Sequence, residues 1–243
     1  MEVDPELLRH RPPALAIDVA LLTLVHGRLC VVVMQRAAAP FAGHWVLPGG
    51  FVHLDETLDA TVARVLKQKI GLEGVFVEQL FTFGELGRDP RGRVVTVAYY
   101  ALVPAERLIA LPGGTGRLAE VHAPWSGLAG GDVELRDEHG KALRVGFDHA
   151  SILGTALLRL RGKIDYAPIG FELLPDQFTL LELQVVHEAV LGTPQNKDSF
   201  RRRMLASGHL QATGRRRADV GHRPPRLFRF KGAKPANRPN KES

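Results

Sequence analysis

Short apolar runs rich in β-branched residues dominate the first hundred residues of the chain. Residues 16–25 and 28–35 form two such runs separated by a His-Gly pair, and similar runs occupy residues 74–83 and 93–103. Such runs favour strands, and a short glycine-containing link favours a hairpin. The pattern therefore predicts at least four strands, of which the first two are joined by a tight turn.

Two other stretches predict helices. One predicted helix lies near residues 56–70 and ends at Gly71, and another covers residues 148–164. Residues 104–147 show a weaker pattern, in which a hairpin around residues 138–140 is the preferred interpretation.

The C-terminal part predicts two helices joined by a short turn. Thr179 and Glu182 have the spacing of a capping box, with Phe178 and Leu183 placed as a hydrophobic staple across it. This helix should run over 179–191, and the second over 197–206. The arrangement favours a helix-turn-helix, although a plain helical hairpin with a solvated basic face remains open.

Two strand-like segments, HLQAT and RLFRF, follow the second helix and predict a β-wing whose tip is rich in arginine. Within the second helix the spacing places Phe200, Met204 and Leu205 inward and Arg201 at the edge. Arginine binds phosphate oxygens well, so phosphate contacts are expected from the wing and base contacts from the helix. The candidate DNA-binding residues are Lys197, Ser199, Arg201, Arg202, Arg203, Arg215, Arg216, Arg217 and Arg223.

Charge is distributed unevenly and supports this interpretation. The chain carries a net +6, but residues 194–243 alone hold 14 Lys and Arg against 3 Asp and Glu. Such asymmetry indicates a polyanion-binding part. Duplex DNA is favoured over a membrane surface because no helix with a long apolar face accompanies the charge. RNA binding or scaffolding remains an alternative.

Composition argues against a membrane protein, a secreted protein and a metal-binding protein. No run reaches the ~20 apolar residues of a membrane helix, and the first residues lack the basic and apolar parts of a signal peptide. Cys30 is the only cysteine, inside an apolar run, so a buried thiol and a cytoplasmic location are expected. The ten histidines have no metal-ligand spacing, and no metal is assigned.

The stretch from residue 50 to 72 keeps the spacing of a Nudix box, G-x5-E-x7-R-E-U-x-E-E-x-G-U. Gly50, Glu56 and Arg64 match the signature, but its other three carboxylates are replaced by Val65, Gln68 and Lys69. Positions 65, 68 and 69 share one helix face, where glutamates would hold Mg²⁺ through oxygen ligands.

The replacements predict that metal-assisted hydrolysis is absent or very weak. Lys69 brings a positive charge that would repel a metal ion, and it is a candidate for direct contact with a diphosphate. A solvated helix lysine is an equally good interpretation of Lys69.

Over nearly its full length the chain resembles the Nudix-related transcriptional regulators of NAD metabolism. The resemblance rests on RAAAPFAGHWVLPGGFV, the degenerate box, FDHASIL, LLPDQFTLLELQVVHEAVLG and DSFRRRML followed by RPPRLFRF. It implies an α/β fold, a Nudix-type α/β sandwich, followed by a C-terminal winged helix-turn-helix domain. Expected boundaries are 1–165 for the Nudix-like domain, 166–176 for a linker, 177–231 for the DNA-binding domain and 232–243 for a disordered basic tail.

The resemblance also implies a homodimeric repressor of NAD synthesis or salvage genes, with double-stranded operator DNA as partner. ADP-ribose or a related nucleotide would be its effector, with no cofactor of its own. Glu56 and Arg64 would be structural remnants. The plainer roles of an N-cap for Asp148 and a structural hydrogen bond for His149 stay open. The candidate effector-binding residues are Arg36, Phe51, Lys69, Asp148 and His149.

An active Nudix pyrophosphatase with an accessory DNA-binding domain is the main alternative. It would need metal ligands from outside the degenerate positions, for which Glu85, Glu120 or Glu56 are candidates.

Overall fold

The computed structural model describes residue 6 and residues 12–109, 116–164, 167–217 and 224–232. Its N-terminal part is a mixed sheet with helices on both faces, as the resemblance implied. The strands are β1 (Ala14–Val25), β2 (Arg28–Gln35), β3 (Trp45–Val46), β4 (Gly49–Phe51), β5 (Glu78–Phe83), β6 (Val94–Leu102), β7 (Arg117–His122), β8 (Glu134–Arg136) and β9 (Ala142–Leu143). The helices are α1 (Leu58–Ile70), α2 (Ala105–Ile109) and α3 (His149–Lys163).

Strand β1 organises the sheet, whose order is β5-β6-β1-β2-β7-β8-β9. It pairs in parallel with β6 along its length on one side. On its other side it pairs with β4 through Asp18 and with β2 from Leu22 onward. The sheet therefore opens between β4 and β2, and this opening positions the cleft described below.

Alternation along β1 divides the core into two layers, because successive side chains point to opposite faces of a strand. Ile17 and Val19 pack with Val62 and Leu66 of α1. On the opposite face, Ala20 and Leu22 join the cluster that contains the apolar residues of α3. Asp18 shares that face, so a carboxylate lies near the start of α3.

The C-terminal part forms a winged helix, with helices α4 (Leu180–Leu191) and α5 (Lys197–Ala206) and strands β10 (Leu210–Arg216) and β11 (Arg226–Phe230). Phe178 bridges β11 through two backbone hydrogen bonds with Phe228, of 2.9 and 2.8 Å. Phe178, Leu183 and Phe200 are fully or almost fully buried in its core. Phe171 and Leu174, from the predicted linker, also pack there; Phe171 begins a 3-10 helix over Phe171–Leu173, and Leu174 follows it.

Most predicted elements are confirmed within a few residues. Thr57 caps α1, Gly71 ends it in the left-handed conformation, and both reciprocal hydrogen bonds of the Thr179–Glu182 capping box are present. Strands β8 and β9 form the expected hairpin. Cys30 is buried in β2, where desolvation raises the pKa of its thiol to about 11.

Two structural expectations are wrong. Leu205, expected to point inward, is 47% exposed because only Phe200 and Met204 of α5 face the core. The strand expected over 74–83 begins at Glu78, since Gly74 has a positive φ and the backbone before Glu78 is irregular. None of the described helices is both long and apolar enough to span a membrane.

Candidate functional site

A cleft of about 180 Å³ lies where β1 changes partner from β4 to β2. Its walls come from β1, the 36–51 segment, the end of α1, the loop between β5 and β6 and the start of α3. Its lining residues include Asp18, Arg36, Gly49, Gly50, Phe51, Lys69, Arg88, Asp89, Arg91, Phe147 and His149.

The floor of the cleft is a network of charged side chains around Arg88. Arg88 donates to the Asp148 carboxylate from Nε and from Nη2, each at 2.7 Å, and its Nη2 also lies 3.4 Å from Asp18. The Arg88 side chain is only 4% exposed. A buried charge needs such partners, so the network fixes Arg88 in position.

His149 completes this floor from the first turn of α3. Its Nδ1 accepts a hydrogen bond from the Leu47 amide at 2.8 Å, and its Nε2 lies 3.4 Å from Asp18. Burial lowers the pKa of the ring below its usual value. The neutral tautomer with its proton on Nε2 follows from these contacts, so His149 ties the backbone of Leu47 to the start of α3.

Three further cations line the rim of the cleft. Lys69 donates a hydrogen bond to the Gly49 carbonyl, and desolvation of its ammonium lowers its pKa although much of the side chain is exposed. Arg36 donates to the Pro40 carbonyl at 2.6 Å. Arg91 pairs with Asp89 at 2.6 Å. Four cations, Arg36, Lys69, Arg88 and Arg91, stand against three carboxylates, Asp18, Asp89 and Asp148, and this positive excess suits an anionic ligand.

Aromatic rings alternate with guanidinium groups at the mouth. The Arg91 guanidinium lies 5.4 Å from the centre of the Phe51 ring and 5.7 Å from that of the Phe147 ring, and the Arg36 guanidinium lies 5.1 Å from the centre of the Phe147 ring. Phe147 has a φ of 56°, which non-glycine residues rarely adopt. Phe51 is 43% exposed, so it offers a flat apolar face on which a planar base could stack.

The Nudix-box remnant forms the edge of the cleft. Glu56 accepts hydrogen bonds from Arg64 at 2.5 and 2.7 Å, and Arg64 also donates to the Phe51 carbonyl at 2.9 Å. The Arg64 hydrogen bonds lower the pKa of Glu56 to about 2. The pair therefore ties α1 to the loop that carries Phe51. Val65 is buried beneath Gly50, and Gln68 is exposed.

A second candidate surface lies on the winged helix. The first turn of α4, helix α5 and the wing surround a groove of about 540 Å³. Backbone N–H groups at a helix start attract anions, and basic side chains around them strengthen this attraction. No acidic residue is among the lining residues of the described groove, whose cations are Lys197, Arg201, Arg216 and Arg226.

Each of the two surfaces lies in a part of the chain that matches a known domain. The sequence model of the NUDIX domain matches residues 12–129, and that of the NrtR DNA-binding winged helix domain matches residues 170–230. The "ADPR responsive transcriptional repressor NtrR" of Acinetobacter baylyi is 35% identical over 220 residues, covering 90% of this chain and 82% of that protein. The chain belongs to the NrtR family.

Two more similarities show how much of the chain resembles NrtR and how much resembles a Nudix hydrolase. The crystal structure of Shewanella oneidensis NrtR complexed with a 27mer DNA has a TM-score of 0.73 and 34% identity, covering 91% of this chain and 94% of that chain. An ADP-ribose pyrophosphatase of Methanocaldococcus jannaschii is 32% identical over 87 residues, covering 36% of this chain and 49% of that protein. The first similarity extends over both domains, and the second is confined to one part.

For this NrtR family member, the structure brings most predicted effector residues together. Arg36, Phe51, Lys69 and His149 line the cleft, and Asp148 contacts it through Arg88. Asp148 occupies the N-cap position of α3, but its side chain does not cap the helix: no helix amide bonds its carboxylate, because both oxygens pair with Arg88.

Sequence reasoning missed several residues that the cleft uses. A lone carboxylate in the apolar run AIDVALL was a detectable signal for Asp18. The Gly-Arg-Asp-Pro-Arg loop gave a weaker one, because turns commonly contain such residues. The missed lining residues are Asp18, Arg88, Asp89, Arg91 and Phe147.

The wing differs from its predicted form. Arg215 and Arg216 belong to strand β10 and not to the tip, because the ladder extends to the Arg216–Arg226 pair. Arg217 binds the carboxylate of Glu182 at 2.7 and 3.1 Å, so it ties the wing to the capping box of α4. Arg223 lies outside the described residues.

On α5, the other DNA-binding candidates are exposed. Asn196 caps the helix through the Ser199 amide at 3.0 Å, while Phe200 and Met204 bury the opposite face. The predicted residues on this exposed surface are Lys197, Ser199, Arg201, Arg202 and Arg203.

Proposed function

We propose that this chain is a transcriptional repressor of genes for NAD synthesis or salvage, working in the cytoplasm. Its winged helix binds operator DNA, and ADP-ribose or a related NAD-derived nucleotide in the Nudix cleft releases it. The nucleotide acts as an effector, and no cofactor takes part. The observation that carries the proposal is the convergence of Arg36, Lys69, Arg88 and Arg91 on one cleft in a chain that also bears a winged helix.

The chemistry of this cleft supports binding of a diphosphate rather than its hydrolysis. A Nudix hydrolase needs carboxylates on the box helix to hold divalent metal ions. Here the corresponding positions carry Val65, Gln68 and Lys69, and Glu56 is engaged by Arg64. No group of three or more potential metal ligands occurs among the described residues. This donor set does not fit a magnesium centre.

The decisive experiment titrates fluorescently labelled operator DNA with the protein and measures the fluorescence anisotropy of the DNA, with and without ADP-ribose. Allosteric coupling between two sites is typically about 1–3 kcal/mol, or roughly 5–150-fold in affinity. We expect ADP-ribose to weaken operator binding within that range, and AMP plus ribose 5-phosphate to have little effect. Unchanged binding with every NAD-related nucleotide would remove the effector assignment.

The proposal includes a homodimer that binds two half-sites related by twofold symmetry. Half-sites about one helical turn apart would place both α5 helices in successive major grooves. A symmetric duplex should therefore compete better than a single half-site, single-stranded DNA or RNA. Equal competition by single strands would favour an RNA-binding function instead. Light scattering with and without duplex tests the dimer separately.

The hydrolase alternative is favoured by one finding, the 32% identity to an ADP-ribose pyrophosphatase over 87 residues. Incubation with ADP-ribose and either Mg²⁺ or Mn²⁺, followed by chromatography of AMP, tests it. We expect release no faster than in a sample without protein. Multiple turnovers per protein molecule would overturn the proposed sensor function.

A further inference from the structure

Arg161 near the end of α3 joins the two domains through a buried guanidinium group. It is 7% exposed. Its Nε donates to the Val190 carbonyl of α4 at 2.9 Å. Its Nη1 donates to the carbonyl of Gly127 at 3.1 Å and faces that of Trp125 at 3.5 Å. One side chain thus holds the Nudix domain, its 125–127 loop and the first helix of the winged domain.

The buried positive charge of Arg161 is stabilised by carbonyl groups and by an aromatic ring. Its guanidinium lies 4.5 Å from the centre of the Trp125 ring, and Trp125 is itself fixed by a hydrogen bond to the Asp132 carbonyl at 3.1 Å. No carboxylate of the described residues makes an ion pair with it, and burial lowers its pKa. Losing a carbonyl would leave a buried donor unsatisfied, so intermediate positions are costly.

Packing also stabilises the contact between Arg161 and the end of α4. Val190 is fully buried in the same cluster as Leu160 of α3 and Ile164, which follows the last residue of that helix. Gly192 ends α4 with a φ of 71°, and a Cβ there would lie 2.9 Å from the Arg161 guanidinium. The end of α4 is therefore fitted closely around this one side chain.

Helix α3 connects the joint to the effector cleft. Its first residue, His149, belongs to the cleft floor, and Arg161 lies twelve residues later, about 18 Å along a helix. Beyond Arg161, the backbone N–H of Gln195 in the α4–α5 turn donates a hydrogen bond to the Glu188 carboxylate at 2.8 Å. A continuous chain of fixed contacts thus runs from the cleft to α5.

We propose that Arg161 couples the cleft to the DNA-binding surface. The coupling acts by making or breaking the hydrogen bond from Arg161 of α3 to the Val190 carbonyl of α4. The inference rests on the proposed function. Movement of α3 by a nucleotide would shift Arg161 relative to α4 and change the orientation of α5. Discrete packed arrangements, rather than continuous bending, are how such joints transmit a signal.

The test compares Arg161→Met with a matched control on the same helix. Arg159 also binds a carbonyl, that of Leu80 at 3.0 Å, and faces Glu78 at 3.7 Å, but both partners lie within the Nudix domain. We expect Arg161→Met to retain ADP-ribose binding within about threefold of wild type while the ADP-ribose effect on operator affinity falls at least fivefold. Arg159→Met should keep the wild-type effect.

Calorimetric unfolding supplies a readout that does not require ADP-ribose. Wild type and Arg159→Met should unfold in one transition, and Arg161→Met in two, as the domains become independent. Where Arg161→Met does not fold, Arg161→Gln, which can serve fewer carbonyls, replaces it with the same expectations. A folded variant with undiminished coupling, or with the single transition of the control, overturns the inference. A wild type insensitive to nucleotides refutes the proposed function, and the calorimetry still decides the role of Arg161.

Discussion

The basic residues of the Nudix cleft and those of helix α5 differ in how firmly the protein holds them. Arg88 in the cleft is almost fully buried and binds Asp148 with two donors of 2.7 Å. Arg201, Arg202 and Arg203 on α5 are exposed. One region presents its buried cation in a fixed position, whereas the other presents its cations on exposed side chains of a helix.

This difference matches two kinds of anionic ligand. A preorganised cleft loses little conformational entropy on binding, which suits a small ligand that must be recognised by shape. Exposed arginines gain affinity mainly by releasing counterions from a polyanion, so their contribution depends on salt. We therefore expect cleft substitutions to act through lost geometry and α5 substitutions to act through lost charge and base contacts.

The strongest test of the preorganised cleft is Arg88→Leu. The change leaves Asp148 and Asp18 without their cation. Breaking a buried ion pair by removing one partner typically costs about 3–5 kcal/mol. We expect destabilisation of that order and loss of ADP-ribose binding by more than about 100-fold, measured by urea unfolding and calorimetry.

Arg93→Leu is the matched control, because Arg93 belongs to the same loop but is exposed and bonds the carbonyls of Gly84 and Glu85. It should retain ADP-ribose affinity and most of the stability. Equal losses in both variants would mean that the cleft does not depend on the buried network.

The α5 surface should respond next in size, and in a different way. Replacing Arg202 or Arg203 with alanine removes a contact that would be worth about 1–3 kcal/mol if it reaches a base edge. We expect weaker operator binding, a smaller preference over unrelated duplex and a salt slope reduced by about one. ADP-ribose affinity should not change. A uniform loss over all sequences would assign these residues to phosphates alone.

Lys69 tests the cleft rim with a smaller expected effect. Its ammonium donates to the Gly49 carbonyl and lies at the mouth of the cleft. Lys69→Ala should weaken ADP-ribose binding about tenfold, with little change for adenosine, because only the diphosphate needs the charge. Lys67→Ala is the control, since Lys67 lies two residues earlier and pairs with Glu73 on the surface. Calorimetric titration measures both.

Local sequence signals predicted the elements well but the cleft only in part. The capping box of Thr179 and Glu182 and the stop at Gly71 involve residues near each other in the chain, so their spacing contains the information. The family resemblance likewise implied a structural role for Glu56 and Arg64, which form an ion pair. The cleft floor instead joins Asp18, Arg88 and Asp148, which are distant in sequence and are brought together by β1 and α3.

The wing shows a second limit of sequence reasoning. A run of three arginines between glycine and proline residues predicts a basic wing tip that contacts phosphates. Its members have different environments: Arg216 lies in a strand and donates to the Pro224 carbonyl, whereas Arg217 pairs with Glu182. Charge composition predicted the polyanion-binding surface, but it could not separate residues that face DNA from residues that hold the wing.

The smallest effect is expected from Glu56→Gln, which keeps the shape of the cleft edge and removes its charge. Arg64 lowers the pKa of Glu56 from its usual 4.5 to about 2. The folded state therefore binds fewer protons than the unfolded state between these values, so this group stabilises the fold above pH 4.5 and its contribution disappears as pH falls toward 2. In thermal melts, wild type should lose more Tm than Glu56→Gln over pH 5 to 3. Because the effect is local, operator affinity at neutral pH should stay unchanged. Identical Tm profiles would show that the pair does not help to fix the loop bearing Phe51, and the edge would then resemble the solvated α5 surface more than the preorganised floor.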